Sequence, residues 1–169
     1  MKKIKNIIDN IKNIKEIRID TTNWKIYKLV NIFDIKRGKR LRSIDRTKGN
    51  LRYFSSTSEN NGVSCYIGNP LFIENNSLIF NTFGNVFYSE EEFSGSDEIT
   101  ILQNIKLNNK NGFFLSTIMS KNNENKYGYS NKAFYNEIIK EEIYLPSILN
   151  ETTNEFEPDW IYMEEFIKS

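Results

Sequence analysis

The sequence predicts an α+β protein: a curled, mostly antiparallel β-sheet domain with flanking helices and an N-terminal amphipathic helix. Two observations carry this. Through the middle of the chain, short apolar runs alternate with Gly-, Asn- and Pro-containing turn signals, the pattern of short antiparallel strands. At both ends the apolar residues instead recur in steps of three and four, the helical period. A length of 169 residues suits one core, and an aromatic content of 14% argues for packed structure rather than a disordered tail. The expected division is residues 1–20 as a helix, a candidate pairing or dimerisation element, and residues 21–169 as the globular domain.

In order, Ile4, Ile7, Ile8, Ile11, Ile14 and Ile17 form a narrow apolar stripe that must be covered, either by the domain itself or by a helix of another chain. Residues 24–35 mix apolar and polar positions, which suggests a turn of helix feeding a strand at 33–36. Strands are then expected at 51–55, 63–67, 71–73, 77–82, 86–88 and 98–102. Between the first two of these lies the polar loop 56–62, where Asn61-Gly62 favours a tight turn. Residues 90–95 read as an acidic surface loop. A helix is expected over 111–120, with Phe114, Leu115, Ile118 and Met119 on one side, and a second over 132–140. A strand at 143–145 stopped by Pro146, a linker over 150–157 and a helix over 158–167 complete the chain.

Charge is concentrated in one place. Residues 36–52 (KRGKRLRSIDRTKGNLR) hold eight basic residues and the single acid Asp45 in a chain whose net charge is only +1, so the remainder is acidic. Such a distribution offers a polyanion one face and repels it from the others. Lys36, Arg37, Lys39, Arg40, Arg42, Arg46 and Arg52 are therefore the candidate DNA phosphate contacts. Base reading needs groups that both donate and accept. Asn60 and Asn61, in the loop after the basic stretch, are candidates, as are Tyr127 and Tyr129 in a second loop beside Lys126 and Lys132.

Absent residue types narrow the chemistry. With no histidine and one cysteine, Cys65, the usual zinc sites and the Ser-His-Asp and Cys-His arrangements are not available within this sequence. No phosphate-binding G-x-x-x-x-G-K-[ST] loop occurs. Asn69-Pro70-Leu71-Phe72 resembles the Asn-Pro-Pro-aromatic loop of amino-methyltransferases but lacks the second proline and reads as a turn. Pro158-Asp159 and Glu124-Asn125-Lys126 resemble pieces of a magnesium nuclease in reversed order. The expectation is a chain with no catalytic residues, no cofactor and no metal. It has no apolar run near the roughly eighteen residues that span a bilayer, and a cytoplasmic location is expected.

The ordered set GNLRYFSSTSENNGVSCYI, NSLIFNTFGNVFY, FSGSDEITIL, KYGYSNKAF, IYLP and PDWIYMEEFI resembles one target recognition domain of a type I restriction-modification specificity subunit, over residues from about Trp24 to the end. The resemblance implies a domain that reads one half of a bipartite duplex DNA site and brings a methyltransferase (modification) subunit and a restriction subunit to it. Members of that family usually carry two such domains separated by long helices, so this sequence resembles a half-subunit. Two copies joined through their N-terminal helices as a homodimer would read a palindrome with a fixed spacer. Two other readings stay open: a magnesium-dependent endonuclease using Asp97, Glu98 and Asp159, and a protein-binding adaptor whose basic patch meets an acidic partner.

Overall fold

The computed structural model describes residues 19–168, so the expected N-terminal helix lies outside the described residues apart from its last two positions. Two strands, β5 (Ser77–Asn81) and β8 (Ile99–Gln103), form the centre of the fold. They pair antiparallel and are flanked by β2 (Asp34–Arg37) and β6 (Val86–Ser89) in a four-stranded sheet ordered β2-β8-β5-β6. Side chains alternate across a strand, and here both faces are covered. Leu78, Phe80 and Leu102 enter a core shared with the helices, whereas Ile79, Ile99 and Ile101 enter a second core with Phe54 and Phe93. That double burial explains why both segments read as apolar runs without strict alternation.

The second core is closed by a small sheet in which residues 48–54 lie between residues 63–67 and 93–95. In it β3 (Lys48–Phe54) pairs antiparallel with β4 (Val63–Ile67) and parallel with β7 (Phe93–Gly95). A third sheet sets β1 (Trp24–Lys28) and β10 (Glu155–Pro158) beside the long β9 (Glu142–Asn150), all antiparallel. A single helical turn, α1 (Leu29–Ile32), joins β1 to β2.

The helical layer is α2 (Asn109–Asn122) packed on α4 (Trp160–Lys168). Asn108 caps α2: its side-chain oxygen accepts from the Lys110 and Asn111 amides, while the Asn111 side chain accepts from the Asn108 amide. Phe114, Leu115 and Met119 are buried, and edge-on ring contacts join Phe114 to Phe166 at 5.5 Å and Phe33 to Trp160 at 6.4 Å.

The curled, mostly antiparallel sheet with flanking helices agrees with the expected class; several boundaries do not. Residues 71–73 form no strand, and only Glu74 bridges to Phe93. Their apolar members Leu71 and Ile73 are half exposed. Residues 93–95, expected in a surface loop, are a buried strand because β3 supplies a partner. The expected helix over 132–140 shrinks to the one turn α3 (Tyr135–Ile138), since the Ala133 amide is committed to the Thr82 carbonyl at 2.8 Å. The expected linker over 150–157 is a hairpin. Pro146 does not stop its strand. It sits where β9 changes partner from β1 to β10, and its carbonyl accepts from the Asp159 amide at 2.8 Å.

Candidate nucleic-acid interface

Strand register places one set of loops at a common end of the sheets. Arg37 pairs with Thr100, Asn81 with Ile99, Phe80 with Val86, and Phe54 with both Val63 and Gly95. The connections after β2, β3, β5 and β7 therefore emerge together. The loop after α2 joins them through the Asn123 side chain, which donates to the Gly84 carbonyl at 3.0 Å. At this end the backbone of the basic segment is pinned: the Gly38 amide donates to Ile99 O at 3.0 Å and the Lys39 amide to Gly95 O at 3.2 Å. A Cβ at Gly38 would lie 2.0 Å from Ser96 O, so only glycine permits the approach.

The seven candidate phosphate contacts divide into three groups. Lys39 and Arg40 are exposed, and no side-chain hydrogen bond or ion pair holds either among the described residues. Lys36, Arg37, Arg42 and Arg52 sit against acids of their own domain: Lys36 on Glu74 at 3.0 Å, Arg37 on Asp97 at 3.7 Å, Arg42 on Asp45 at 2.5 Å and Arg52 on Glu91 at 2.8 Å. Lys36 also donates to Gln103 at 2.7 Å. These pairs are solvent-accessible, the class of interaction that contributes about 0–1 kcal/mol, so an arriving phosphate can exchange for the carboxylate at little cost. Arg46 differs from both groups. Its guanidinium donates twice to Leu41 O, at 3.1 and 3.0 Å, and lies 4.3 Å from the centre of the Tyr53 ring, so its contacts are internal. Burial pushes the Tyr53 phenol up from its ordinary value, against the opposing pull of Arg46.

The expected base readers also separate. Asn60 and Asn61 are both exposed and left-handed, with φ of 49° and 51°. Asn60 turns its amide back to Val63 O at 3.2 Å. Both asparagines line a cleft of about 390 Å³ whose walls include Arg52, Tyr66, Phe113 and Ser116. Tyr129 is 89% exposed, with Lys132 5.8 Å from its ring centre. Tyr127 instead packs edge-on against Phe80 and donates its hydroxyl to Glu141. Burial and that carboxylate push the phenol well above the ordinary tyrosine range.

A second cleft of about 510 Å³ meets the first at Val86 and Ser116, and is lined by Asn85, Thr117, Lys121 and Asn125. Together they form a groove between the β3–β4 hairpin and α2, with the β5–β6 turn as floor. Amides, hydroxyls and two half-exposed aromatic rings, Tyr66 and Phe113, dominate its walls. Such groups can hydrogen-bond base edges or cover a thymine methyl. A third cavity, of about 680 Å³, runs along the basic loop between Arg40, Arg42 and Arg46 on one side and Asp97, Glu98 and Phe134 on the other.

The carboxylates considered for magnesium do not form a metal set. Asp97 faces Arg37, Glu98 lies 3.6 Å from Lys132, and Asp159 accepts from the Tyr162 amide at 2.8 Å at the start of α4. Among the described residues no group of three or more metal-ligating side chains comes together, so the endonuclease reading loses its site.

Residues 21–168 match the type I restriction modification DNA specificity domain. The chain belongs to this family. Over 168 residues it is 27% identical to the specificity subunit S.BcgI of the type II restriction enzyme BgcI from Heyndrickxia coagulans, a match spanning 95% of this chain and 46% of that subunit. Among solved structures, the HsdS subunit from Thermoanaerobacter tengcongensis shares its fold with a TM-score of 0.62 at 10% identity, covering 99% of this chain and 46% of that one. The type I system S subunit from M. genitalium matches with a TM-score of 0.57 at 18% identity, over 74% of this chain and 35% of that one. The chain thus spans just under half the length of the curated relative it matches. Within this specificity domain no helix among the described residues is long and apolar enough to cross a membrane.

Sequence reasoning about the specificity domain passed over Tyr66, Phe113, Ser116 and Lys121. They come from β4 and α2, and nothing local marks them. One signal was present: Phe113 interrupts the apolar pattern of α2 as a large ring on its solvent side, 55% exposed.

Proposed function

We propose that this chain is a sequence-specific DNA-binding component of a restriction-modification system, reading one half of a bipartite target. Methylation and cleavage come from partner subunits, and the chain itself performs no catalysis. The observation that carries this reading is the juxtaposition, at one end of the sheets, of unpaired cations with a groove lined largely by uncharged polar and aromatic residues. Lys39 and Arg40, joined by the exchangeable Arg37 and Arg42, take the phosphates and set position. Asn61, Tyr66 and Phe113 meet the base edges, with Lys121 at the groove's far end. Tyr129 and Lys132 extend the contact along the neighbouring loop, whereas Arg46 and Tyr127 hold the fold in place.

The partners proposed are a modification subunit, a restriction subunit and duplex DNA, in the cytoplasm. Pairing of two copies through residues 1–20, with recognition of a palindrome, is one arrangement proposed for covering both halves of a target. The test is duplex binding by the full chain across a salt series. Affinity should fall steeply with rising salt, by a slope of about 0.9 per phosphate contacted. Binding that ignores salt would favour the adaptor reading instead and retire this one.

A further inference from the structure

The β5–β6 turn, residues 81–85, contains no charged side chain and yet is bonded to every loop that borders the groove. Asn81 is fully buried. Its side-chain oxygen accepts from the Phe83 amide at 3.0 Å and the Asn85 amide at 3.1 Å, which shapes the turn. Its side-chain nitrogen leaves the turn and donates to the Thr57 carbonyl, 3.1 Å away in the loop that carries Asn60 and Asn61. Thr82 adds three links. Its amide donates to Ser56 Oγ at 3.2 Å, its hydroxyl meets the same Ser56 hydroxyl, and its carbonyl accepts from the Ala133 amide at 2.8 Å. Gly84, at φ +88°, accepts from Asn123 beyond the end of α2, and a Cβ there would press on Asn123 and Tyr127 at 3.1–3.3 Å.

We propose that Asn81 is a positioning residue for sequence recognition: through the 81–85 turn it fixes the Asn60–Asn61 loop relative to α2, and so sets the width and register of the groove. The inference rests on the DNA-reading function proposed above. Reading a base edge demands geometry held to about half an ångström, and a fully satisfied buried amide supplies that stiffness because each of its bonds is short of alternatives in a dry site. Asn81 touches no base itself. Its effect falls on discrimination, whereas phosphate affinity, which depends on Lys39 and Arg40, is left in place.

The experiment compares the full-length chain with Asn81→Ala and, separately, Ser56→Ala, which removes the hydroxyl link and leaves the strand residue intact. Two measurements are made. Hydrogen exchange in the absence of DNA should show faster exchange at residues 55–62 and 82–85 in both variants, with α2 amides unchanged. Selection from a duplex pool of randomised sequence should return a sharp consensus for the unmodified chain. For Asn81→Ala the preference over single mismatches should be weaker by roughly tenfold, with binding of unrelated duplex held within about twofold. Should Asn81→Ala fail to fold, the Ser56→Ala protein carries the same expectations at smaller amplitude.

Unchanged exchange at 55–62 in a folded variant overturns the inference, and so does a loosened loop with an undiminished consensus. If the unmodified chain retains no duplex at low salt, the DNA-reading function fails. The exchange measurement still decides whether Asn81 ties the loops together.

Discussion

Residues 36–52 and residues 81–85 are opposites. The first hold the densest charge in the chain, yet folding distributes them: Lys36 turns to Glu74, Arg42 to Asp45, Arg46 inward onto Tyr53, and only Lys39, Arg40 and Lys48 stay without an internal side-chain partner among the described residues. The second carry no charge and are largely buried, yet they bond to three separate loops of the groove. The contrast separates two jobs that sequence inspection merges. Attraction of a polyanion needs few well-placed cations, because the Coulomb force is long-ranged and indifferent to detail. Discrimination among bases needs fixed geometry, and neutral hydrogen-bonded turns provide it.

Six substitutions, grouped in four experiments, can break or sharpen this division. The largest effect is expected from Lys39→Glu combined with Arg40→Glu. Affinity for every duplex should fall by about two orders of magnitude at low salt, and the salt slope should shrink by about two, as followed by fluorescence anisotropy. An unchanged slope would move the phosphate contacts elsewhere. Next, Phe113→Ala or Asn61→Ala should weaken preference at one base position by about 1–3 kcal/mol and leave unrelated duplexes unaffected, read from a panel of single-base-pair variants. Uniform loss across the panel would place these side chains with the phosphates.

Third, Arg46→Ala should destabilise the domain by about 1–2 kcal/mol in urea titration, through lost carbonyl bonds and ring stacking, with no change in salt slope. The smallest is Tyr127→Phe, about 1 kcal/mol from the lost hydroxyl bond to Glu141, with base preference intact. The Tyr127 phenol also gives a pH signature. Because its pKa in the folded state is raised, its contribution is fully present below the ordinary tyrosine range and is lost as pH rises through the folded value. An alkaline tyrosinate titration should find this group ionising late, and Tyr127→Phe should remove one tyrosine from the late component, to which the raised Tyr53 and Tyr88 also contribute.

Much of the scaffold was legible in the residues, and little of the groove. The runs at 77–82 and 98–102 identified β5 and β8 because burial on both faces leaves no polar positions to blur them. Residues 93–95 were missed because three residues after a run of glutamates carry no period, and their partner β3 lies some forty positions away. The β9–β10 hairpin was taken for a linker because its outer half is exposed and polar. Leu71 to Ile73 was assigned a strand on composition alone, and no strand pairs with it among the described residues. At the site, charge density flagged Lys39 and Arg40 but could not tell them from Arg46, since that distinction depends on Tyr53 and Leu41 arriving in space. The groove joins segments from β3, β4, β6 and α2. Of its turns, Asn61-Gly62 and Gly84-Asn85 were marked by residue type, while the bonds that tie them together were not.

The central pair of strands has one more consequence. Since β5 and β8 are covered above and below, any change of side-chain volume within them disturbs two interiors at once, whereas Asn61, Lys39 and Lys121 are exposed at the tips of the elements that carry them. Retargeting this protein toward another motif is therefore a matter of grafting tips onto an unaltered frame, and libraries confined to those tips should keep most of their members folded.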